Sequence, residues 1–429
     1  MKRSCKNIDI EDWQTVEPWV YECLDRHYKR HDFKRLLLTV GGISGEDYKR
    51  AVKDYDKKPL LKASVNLAKE AVRQIKNRCL ELEPVKIREM ADKSSGKIRQ
   101  IGKESAMQQI FDYIAKRSCE DIWKRRIVPQ QVSSVKDRGQ NFGVNMIQGW
   151  IEADNAAEKW AHKHGTRYYR KCRYYVKLDV RGCFKNMRLS RFMMFFCRDC
   201  GNEAIIWLWR ELFRRHRVDG YEGFMIGALP SETAAQYIMS YLYRFAMGLH
   251  KQRRGKSVKL INHALYFMDD QIYYGSSRRD LEIAVREIIK FANNELGLEI
   301  KPSWHISDID ITPLDAMGFV IHADSTVTVR PRVFIRARRA ALRYLRHGRM
   351  TIKQARRLCS YKGYFHPNRK KCRKRHIWLN LKTRKADKKY KLAKVFAKAA
   401  AVVGRFERRR HYENTIHKQT GSNPVYAFA

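Results

Sequence analysis

The sequence predicts an α+β protein on three observations. Residues 174–180 (YYVKLDV) alternate or run apolar, as a buried strand does. Residues 263–275 (HALYFMDDQIYYG) give an apolar strand, two acids and a second apolar strand, which is the pattern of a hairpin. Residues 231–249 predict an amphipathic helix that follows a loop containing glycine and proline. Together these patterns indicate a mixed fold of helices and strands.

The other elements follow in chain order. Residues 1–90 are predicted to be mixed helical, with no evident site. Residues 92–103 (DKSSGKIRQIGK) predict a turn and then a short basic strand. After residue 331, apolar residues recur at helical intervals between arginines, which predicts two or more basic helices with one apolar face. These helices are expected to break near Gly348 and again around His366-Pro367.

Size and charge limit the class of protein. A chain of 429 residues predicts two or three packed units, and 44% hydrophobic residues are enough to form real cores. The chain has 89 Lys and Arg against 45 Asp and Glu, a formal net charge of +44. A surplus this large predicts an anionic partner, either phosphate backbones or a membrane surface.

The charge is concentrated in the C-terminal region. Residues 331–380 contain 17 Lys or Arg and no acid. Residues 331–429 together hold 30 basic and 3 acidic residues, a net +27. Because such a face repels itself, a polyanion lying across it is the favoured interpretation over a merely solvated surface.

Membrane and metal signals are weak. No run approaches the roughly 18 apolar residues of a membrane span, and residues 1–30 are too evenly charged for a signal peptide. We therefore expect a cytoplasmic protein with no membrane partner. The ten cysteines show no regular framework, so reduced thiols are expected. Cys197 and Cys200 form a lone CxxC without a second ligand pair, which argues against zinc.

Three acids lie where buried strands end. Asp179 closes one apolar strand, and Asp269-Asp270 interrupt the predicted hairpin. Carboxylates beside buried residues carry a desolvation cost and repel one another unless a cation lies between them. Two Mg²⁺ ions fit such a set, one activating an attacking hydroxyl and one steadying a leaving pyrophosphate. Asp269-Asp270 alone favour an ordinary hairpin turn, but with Asp179 in a chain of +44 the catalytic interpretation is stronger.

The segments around these acids, 176–184, 226–231 and 266–270, resemble in order the palm of a reverse transcriptase. The resemblance implies a right-hand polymerase fold, with fingers and palm on an antiparallel sheet and a helical basic thumb. Asp179, Asp269 and Asp270 would be catalytic and ligate two Mg²⁺ ions, or Mn²⁺ as a substitute, and the Val180 carbonyl would be a further contact. Four domains follow from it: an N-terminal helical extension 1–90, fingers 91–173, palm 174–325, and thumb with tail 326–429.

The same resemblance implies residues that bind the incoming nucleotide. Phe184 matches the bulky side chain that excludes a ribose 2′-hydroxyl, which disfavours an RNA-dependent RNA polymerase. Gly96–Ile101 resembles the fingers strand whose cations hold the triphosphate. The predicted nucleotide-binding residues are Lys97, Arg99, Phe184, Ile226, Gly227, Gln236 and Lys301.

Further segments resemble parts of the family that hold nucleic acid. Residues 134–139 (SVKDRG) resemble a second fingers motif, Met317–Phe319 the primer grip, and Cys359–Tyr364 a bacterial thumb. The residues predicted to bind nucleic acid are Arg138, Gly318, Arg332, Arg336, Arg338, Arg339, Arg343 and Lys362.

The chain also departs from the family pattern. Ile226 stands where many members have Gln, which resembles the enzymes of diversity-generating retroelements, but Ser231-Glu232 stands where those have Ser-Gln. The lysine often proposed as general acid falls near Trp304 by spacing. Lys301 and His305 are the candidates to replace it, and its absence is the other alternative.

The resemblance implies an RNA-directed DNA polymerase of bacterial or phage type, with dNTPs, an RNA template and a DNA product as partners. Antiphage defence with a structured noncoding RNA is the favoured role, and oligomerisation is left open. Three alternatives remain: error-prone copying in a diversity-generating retroelement, template-independent or protein-primed synthesis, and a non-catalytic RNA-binding protein.

Overall fold

The structure, a computed structural model, describes residues 3–91, 98–216, 223–347, 349–365, 380–383, 386–391 and 394–406. It contains both helices and antiparallel strands, as the sequence predicts. The helices are α1 (Trp13–His27), α2 (His31–Thr39), α3 (Gly45–Lys53), α4 (Lys58–Lys76), α5 (Ala106–Ser118), α6 (Glu120–Arg126), α7 (Gln140–Lys163), α8 (Cys183–Asn186), α9 (Leu189–Asp199), α10 (Glu203–Arg215), α11 (Leu229–Met247), α12 (Arg278–Phe291), α13 (Pro331–His347), α14 (Ile352–Lys362) and α15 (394–406).

The strands form small sheets. They are β1 (Lys86–Ala91), β2 (Ile98–Lys103), β3 (Tyr174–Asp179), β4 (His250–Arg253), β5 (Lys256–Lys259), β6 (His263–Phe267), β7 (Asp270–Gly275), β8 (Ile306–Asp308), β9 (Leu314–Ala316), β10 (Phe319–Ile321), β11 (Val327–Val329), β12 (Asn380–Thr383) and β13 (Ala386–Lys391). The largest described sheet has the order β6-β7-β3-β8. β9, β10 and β11 form an antiparallel meander, and β1-β2, β4-β5 and β12-β13 form two-stranded sheets.

Side-chain caps fix several helix starts. Asp12 accepts hydrogen bonds from the backbone N–H groups of the first turn of α1. Ser44 and Asp47 form a reciprocal capping box at the start of α3, and Thr351 and Gln354 form another at α14. These caps satisfy N–H groups that have no partner within the helix, so local sequence determines where the helices begin.

The chain divides into two compact units. The first consists of Met1–Val135, Lys177–Ile272 and Arg279–His305, and the second of Lys136–Val176, Tyr273–Arg278 and Ile306–Ala429. Two of the five boundaries fall within strands β3 and β7. This division agrees with the predicted number of packed units, while the four predicted domain ranges stay predictions.

The core of the first unit is aromatic. Rings from α6, α9, α10 and α11 pack on one another, with centroids 5.1 Å apart for Phe192 and Phe196 and 5.6 Å apart for Trp123 and Trp209. Tyr237 of α11 lies edge-on to Trp123 at 5.5 Å. Large aromatic rings bury much apolar area and favour such edge-on and offset contacts, so this cluster holds four helices together.

Helix α11 corrects one prediction. The sequence predicts an amphipathic helix over 231–249, but thirteen of the nineteen residues of α11 are buried. Ser231, Gln236 and Ser240 are among them, because the helix is packed on most of its sides and polar residues there are also enclosed. Periodicity therefore located this helix correctly and misjudged its exposure.

In the second unit, α7 packs on the β9–β10–β11 meander. The Gln148 side chain donates to the Ser325 carbonyl at 3.0 Å, and Asn155 donates to the Ala323 carbonyl at 2.9 Å. These bonds satisfy turn carbonyls of the meander from the helix side. They fix the middle of α7 to the turn between β10 and β11.

Predictions at the two ends of the chain have mixed outcomes. α1 to α4 confirm helices in the N-terminal 90 residues, although β1 begins at Lys86. α13 ends at His347 and α14 begins at Ile352, which confirms the predicted break, whereas His366-Pro367 lie outside the described residues. β12 and β13 were not predicted in this basic region. None of the described helices is both long and apolar enough to cross a membrane.

Candidate active site

Asp179 is the last residue of β3. Beyond it the backbone forms a bridge between Val180 and Ile300, with the Lys301 N–H donating to the Asp179 carbonyl at 2.9 Å. The second bond of the bridge joins the Arg181 N–H to the Glu299 carbonyl at 2.8 Å. The Val180 carbonyl takes part in neither bond. The bridge therefore fixes the backbone on which the predicted metal contacts lie.

Asp269 and Asp270 lie at the turn of the β6–β7 hairpin. Asp270 begins β7, and Met268 and Asp269 are the two residues between the strands. Met268 has a φ of +58°, a left-handed conformation that costs a non-glycine residue free energy. A two-residue hairpin turn needs positive φ, so the tight turn itself explains this strain. The predicted hairpin is confirmed, and its turn presents the two acids.

These three acids, here called the strand-end carboxylates, influence one another. Burial raises the pKa of Asp269 above its ordinary value, and the charge of Asp179 raises it further. The Asp270 pKa is raised by burial first and then by the charges of Asp269 and Asp179. Asp270 as a residue is exposed, so protein crowds only one side of its carboxyl group. The mutual effects place all three carboxyl groups at one edge of the first unit.

Cations lie close to the same edge. The Lys301 ammonium donates to Asp179 Oδ2 at 2.7 Å, and the two side chains remain 37% and 41% exposed. Lys301 and Arg99 also favour the charged form of Asp269, and Lys177 that of Asp270. Opposite charges stabilise ionised carboxylates, which offsets part of the cost of crowding them.

The strand-end carboxylates fit a divalent cation in two respects. Asp179 Oδ1 is buried and accepts no hydrogen bond from a described residue, so one oxygen is left for another cation. Carboxylate and carbonyl oxygens are also the donors that Mg²⁺ prefers. Within the described ranges, however, no group of three or more His, Cys, Asp or Glu side chains is arranged to hold a metal ion. Lys301 on Asp179 is one physical reason, because its ammonium takes an oxygen that a metal would use.

Short helix α8 follows β3 directly and continues the site. Gly182 has a φ of +53°, which lets the chain turn sharply from the strand into the helix. The buried Cys183 thiol has a pKa raised by burial first and then by the charges of Asp269 and Asp179, so it lies beside them. Phe184 is half-buried, and its carbonyl accepts from the Phe224 N–H at 2.7 Å. Sequence reasoning had not singled out Cys183.

The predicted nucleotide motif packs against strand β2. The Gly102 N–H donates to the Ile226 carbonyl at 3.0 Å, and a side chain at Gly102 would overlap Met225. Gly227 has a φ of +100° and would meet Ile101 at 2.9 Å if it carried a Cβ. Glycine at 102 and 227 thus permits a close backbone approach. The strand that carries Arg99 is thereby fixed on residues 225–227, while Lys97 lies outside the described residues.

Gln236 holds the hairpin in place. Its side-chain N–H donates to the Ser133 carbonyl at 2.7 Å and approaches the Met268 sulfur at 3.7 Å. Its side-chain oxygen accepts from Gln131 at 2.8 Å. Both ends of the amide therefore bond within the protein, and Gln236 is 2% exposed. That it binds nucleotide stays a prediction, whereas its contacts give it a positioning role at the strained turn.

Gln131 was missed by sequence reasoning. It donates to both the backbone carbonyl and the side-chain oxygen of Gln236, at 2.6 and 2.8 Å. Its backbone forms a bridge with Tyr266 of β6, and the Val132 N–H donates to the Tyr266 carbonyl at 2.9 Å. No local pattern links positions 131, 236 and 266, so only the folded chain brings them together.

A second group of acids in the first unit, here called the buried acid pair, consists of Glu104 and Asp112. Asp112 is fully buried, and its pKa is raised well above its ordinary value by burial and by Glu104. His216 Nε2 lies 3.0 Å from Glu104 Oε1. Neither Asp112 oxygen has a hydrogen-bond partner by distance and angle among the described residues. This pair was not predicted, because residues eight apart with a distant histidine form no motif.

The cysteines also meet across the sequence. Cys5 lies within interaction distance of Cys119 and Cys200. The hydrogen bond with Cys119 and then burial raise the Cys5 pKa to about 12, while the hydrogen bond with Cys200 lowers it. The described cysteines are all free. That the thiols are reduced stays a prediction, and no group of described residues is arranged as a metal site.

In the second unit, Gly318 lies at a hairpin turn between β9 and β10. Met317 and Gly318 have φ values of +51° and +85°. The Tyr364 ring covers Gly318 so closely that a Cβ there would meet it at 2.4 Å. Arg138 is half-buried, and burial lowers its pKa. Whether Gly318 and Arg138 bind nucleic acid stays a prediction.

Four arginines of α13 share one side of that helix. Positions 332, 336, 339 and 343 are spaced by three and four residues and follow one face. Ala337 and Ala341 are buried on the other face. Arg332, Arg338, Arg339, Arg343 and Lys362 are exposed, and Arg336 is half-buried. The predicted amphipathic pattern of α13 is confirmed, and its binding of nucleic acid stays a prediction.

The sequence matches no protein-family model and no curated protein. Among solved structures, apo telomerase from Candida Tropicalis is similar with a TM-score of 0.42 at 12% identity, over 79% of this chain and 72% of that chain. The same telomerase truncated from its C-terminal domain is similar with a TM-score of 0.38 at 13% identity, over 77% and 83%. Likeness at this level is too slight to assign a function.

Proposed function

We propose that the protein is an RNA-directed DNA polymerase with a right-hand polymerase fold. The observation that carries the proposal is the meeting of Asp179, Asp269 and Asp270 at one edge of the first unit. The sequence around them, 176–184 and 266–270, resembles the palm of reverse transcriptases. The fingers-like strand β2, fixed on residues 225–227, is consistent with that arrangement.

The strand-end carboxylates and the Val180 carbonyl would hold two divalent cations. When bound, such ions activate the attacking 3′-hydroxyl and stabilise the charge that develops on the leaving pyrophosphate. The protein's own residues supply the rest. Arg99 would attract the triphosphate, and its charge acting on Asp269 supports that role.

Lys301 would have a double role. It neutralises Asp179 in this structure, and it lies three residues before Trp304, the position near which the family's general-acid lysine falls by spacing. His305 is exposed four residues further on. An ammonium bound to a carboxylate donates its proton poorly, so Lys301 would first have to leave Asp179.

The basic helices α13 and α14 would bind the template–product duplex through its phosphates. Contacts to phosphate carry no sequence information, which suits an enzyme that must move along any template. We place this activity in the cytoplasm of a bacterial host, in antiphage defence with a noncoding RNA. The half-buried Phe184 supports dNTPs over rNTPs as substrates, since a bulky ring beside the sugar would meet a 2′-hydroxyl.

Incorporation of dTTP on poly(rA)·oligo(dT) tests the proposal. Asp179→Asn and Asp269→Ala should abolish synthesis and leave nucleic-acid binding within about threefold, because the acids serve chemistry. Asp324→Asn is the matched control, since Asp324 also lies in a hairpin turn, between β10 and β11, where it is exposed and accepts from the Thr326 N–H at 2.9 Å. Wild-type activity in either mutant would refute the polymerase assignment.

Two additional arms separate the alternatives. Product from a single dNTP without nucleic acid would indicate template-independent or protein-primed synthesis. Phe184→Ala should admit rNTPs if the ring excludes the 2′-hydroxyl, and no gain would contradict that role. Sequencing the nucleic acid that co-purifies would distinguish a noncoding RNA template from a retroelement template.

A further inference from the structure

The end of α7 carries two exposed aromatic rings. Trp160, in the last turn of the helix, is 60% exposed, and Tyr169, in the loop that follows, is 72% exposed. Large aromatic side chains are usually buried, so two exposed rings nine residues apart require an explanation. Neither belongs to the strand-end carboxylates or to the basic helices.

The backbone around these rings is firmly held. Asp154, itself buried, accepts from the Tyr168 hydroxyl at 2.7 Å and from the Cys172 N–H at 2.6 Å. These bonds fix the loop on α7 and turn Tyr168 inward, while its neighbour Tyr169 remains exposed. The Trp160 ring stacks on His164 with centroids 4.2 Å apart. One face of the indole is therefore supported, and little conformational entropy remains to be lost on binding.

Exposed cations lie next to the two rings in the sequence. Exposed positive side chains between residues 159 and 171 are Lys159, Lys163, Arg167 and Lys171. In the part of the chain that the structure describes, none of these four pairs with a carboxylate. Arg170, by contrast, is bound by Asp310 and Glu158. The two rings and the four unpaired cations are called the Trp160 surface below.

We propose that the Trp160 surface binds single-stranded nucleic acid. Flat exposed rings stack on unpaired bases, and interleaved cations follow the phosphates between them. A duplex offers its phosphates but not its stacked bases, so it would leave the rings unused. This surface goes beyond the polymerase chemistry, since it needs no metal, no dNTP and none of the strand-end carboxylates.

An anionic membrane surface fits the structure less well. Interfacial helices insert a continuous apolar face between lipids. The apolar residues of α7, among them Val144, Ile147 and Ile151, are buried within the protein. Trp160 and Tyr169 are separate rings and form no continuous apolar face for a bilayer, whereas a strand of nucleic acid can use each ring for one base.

Photocrosslinking tests the proposal at residue level. The full chain is irradiated with a ten-nucleotide oligoribonucleotide that contains 4-thiouridine, and adducts are mapped by mass spectrometry. We expect adducts on the peptides that contain Trp160 and Tyr169. Trp160→Ala with Tyr169→Ala should remove these adducts and weaken binding about tenfold, because each stacked base contributes substantially. Trp160→Phe with Tyr169→Phe should retain the adducts, because both rings remain.

Matched controls separate this surface from general basicity. Lys159→Gln with Lys163→Gln should reduce the slope of log K against log salt by about 1.4, because each of the two phosphate contacts adds about 0.7 on single strands. Lys58→Gln with Lys62→Gln removes two exposed cations with the same spacing on α4 and should leave the adducts unchanged. Ile311→Ala removes an exposed apolar side chain, 81% exposed, without affecting adduct formation.

The outcomes are distinguishable. Adducts with ribo- and deoxyribo-oligonucleotides alike, or with RNA alone, would both support the surface and would identify its ligand. Adducts confined to other peptides would overturn the proposal. It would also be overturned if the double Ala variant lost binding to phosphatidylglycerol vesicles but kept its oligonucleotide adducts. Asp269→Ala should keep the adducts, so failure of the polymerase proposal would not be mistaken for failure of this one.

Discussion

The strand-end carboxylates and the buried acid pair are both crowded acids in the first unit, yet their surroundings differ. Asp179 and its partners lie at strand ends, partly exposed and beside Lys301 and Arg99. Asp112 is fully buried, and its pKa is raised by that burial and then by the charge of another acid, Glu104. Burial raises pKa values in both groups, so a raised pKa alone does not identify an active site. Access and nearby cations distinguish a site that can accept a phosphate or a metal.

The largest expected difference between the two groups is in catalysis. Asp269→Asn should lower dNTP incorporation by at least about a thousandfold, because it removes a charged oxygen from the reacting centre. Asp112→Asn has nearly the same shape change at a sealed position and should leave the rate within about threefold. The measurement is single-turnover extension of a primer at saturating template. Equal losses would mean that the two groups of acids act as one site.

The second difference concerns stability and pH. The folded protein keeps Asp112 protonated well above its ordinary pKa of about 4, so it binds more protons than the unfolded chain. The contribution of Asp112 to the free energy of unfolding is therefore largest at pH values below its ordinary pKa. It falls as the pH rises toward the pKa of the folded protein, by up to about 1.4 kcal/mol per pH unit. Asp112→Asn should remove this fall and raise the free energy of unfolding at pH 8.

Urea denaturation of both proteins between pH 5 and pH 9 measures the slope. Asp324→Asn, at an exposed turn, is the control and should keep the wild-type slope. If Asp112→Asn and the wild type lose stability in parallel, Asp112 is already ionised in the folded protein.

The comparison also shows which parts of the molecule the sequence could predict. Asp179 and Asp269 were found because local strand patterns end at them, and a strand end is encoded by neighbouring residues. The exposure of α11 was misjudged because burial depends on what packs around a helix, which its own periodicity does not contain. β12 and β13 were missed because lysine-rich segments favour neither strands nor buried faces.

Contacts between positions distant in sequence could not be predicted either, because local patterns do not contain them. Gln131 supports Gln236, and His216 approaches Glu104, over separations of more than one hundred residues. No spacing rule connects such positions. The Trp160 surface is an intermediate case, since the alternation of rings and cations is visible in the sequence, but their exposure is not.

A third prediction concerns divalent cations and the same two groups. Mn²⁺ or Mg²⁺ at about thirty times its dissociation constant should stabilise the folded protein by about 2 kcal/mol, because the unfolded chain has no assembled site. Asp269→Asn should abolish this shift in melting temperature, and Asp112→Asn should keep it. EDTA should reverse the shift. Stabilisation that survives in Asp269→Asn would place the cations elsewhere in the protein.

The smallest expected effect belongs to the ion pair between Lys301 and Asp179. The two side chains are 37% and 41% exposed, so solvent screens their attraction, and Lys301→Met should lower metal-free stability by less than about 1 kcal/mol. Its effect on cation binding should have the opposite sign, since Asp179 Oδ2 no longer carries an ammonium.

Titration with Mn²⁺, followed by the electron paramagnetic resonance signal of the free ion, should show a few-fold tighter binding to Lys301→Met. Lys290→Met is the control. Lys290 also forms an exposed ion pair, with Glu287 at 2.8 Å, and this pair is distant in sequence from the strand-end carboxylates. Unchanged affinity in Lys301→Met would show that the ammonium and the cation do not compete, and that Lys301 stays on Asp179 when metal binds. The absence of a formed ligand group among the described acids would then need a cause other than Lys301.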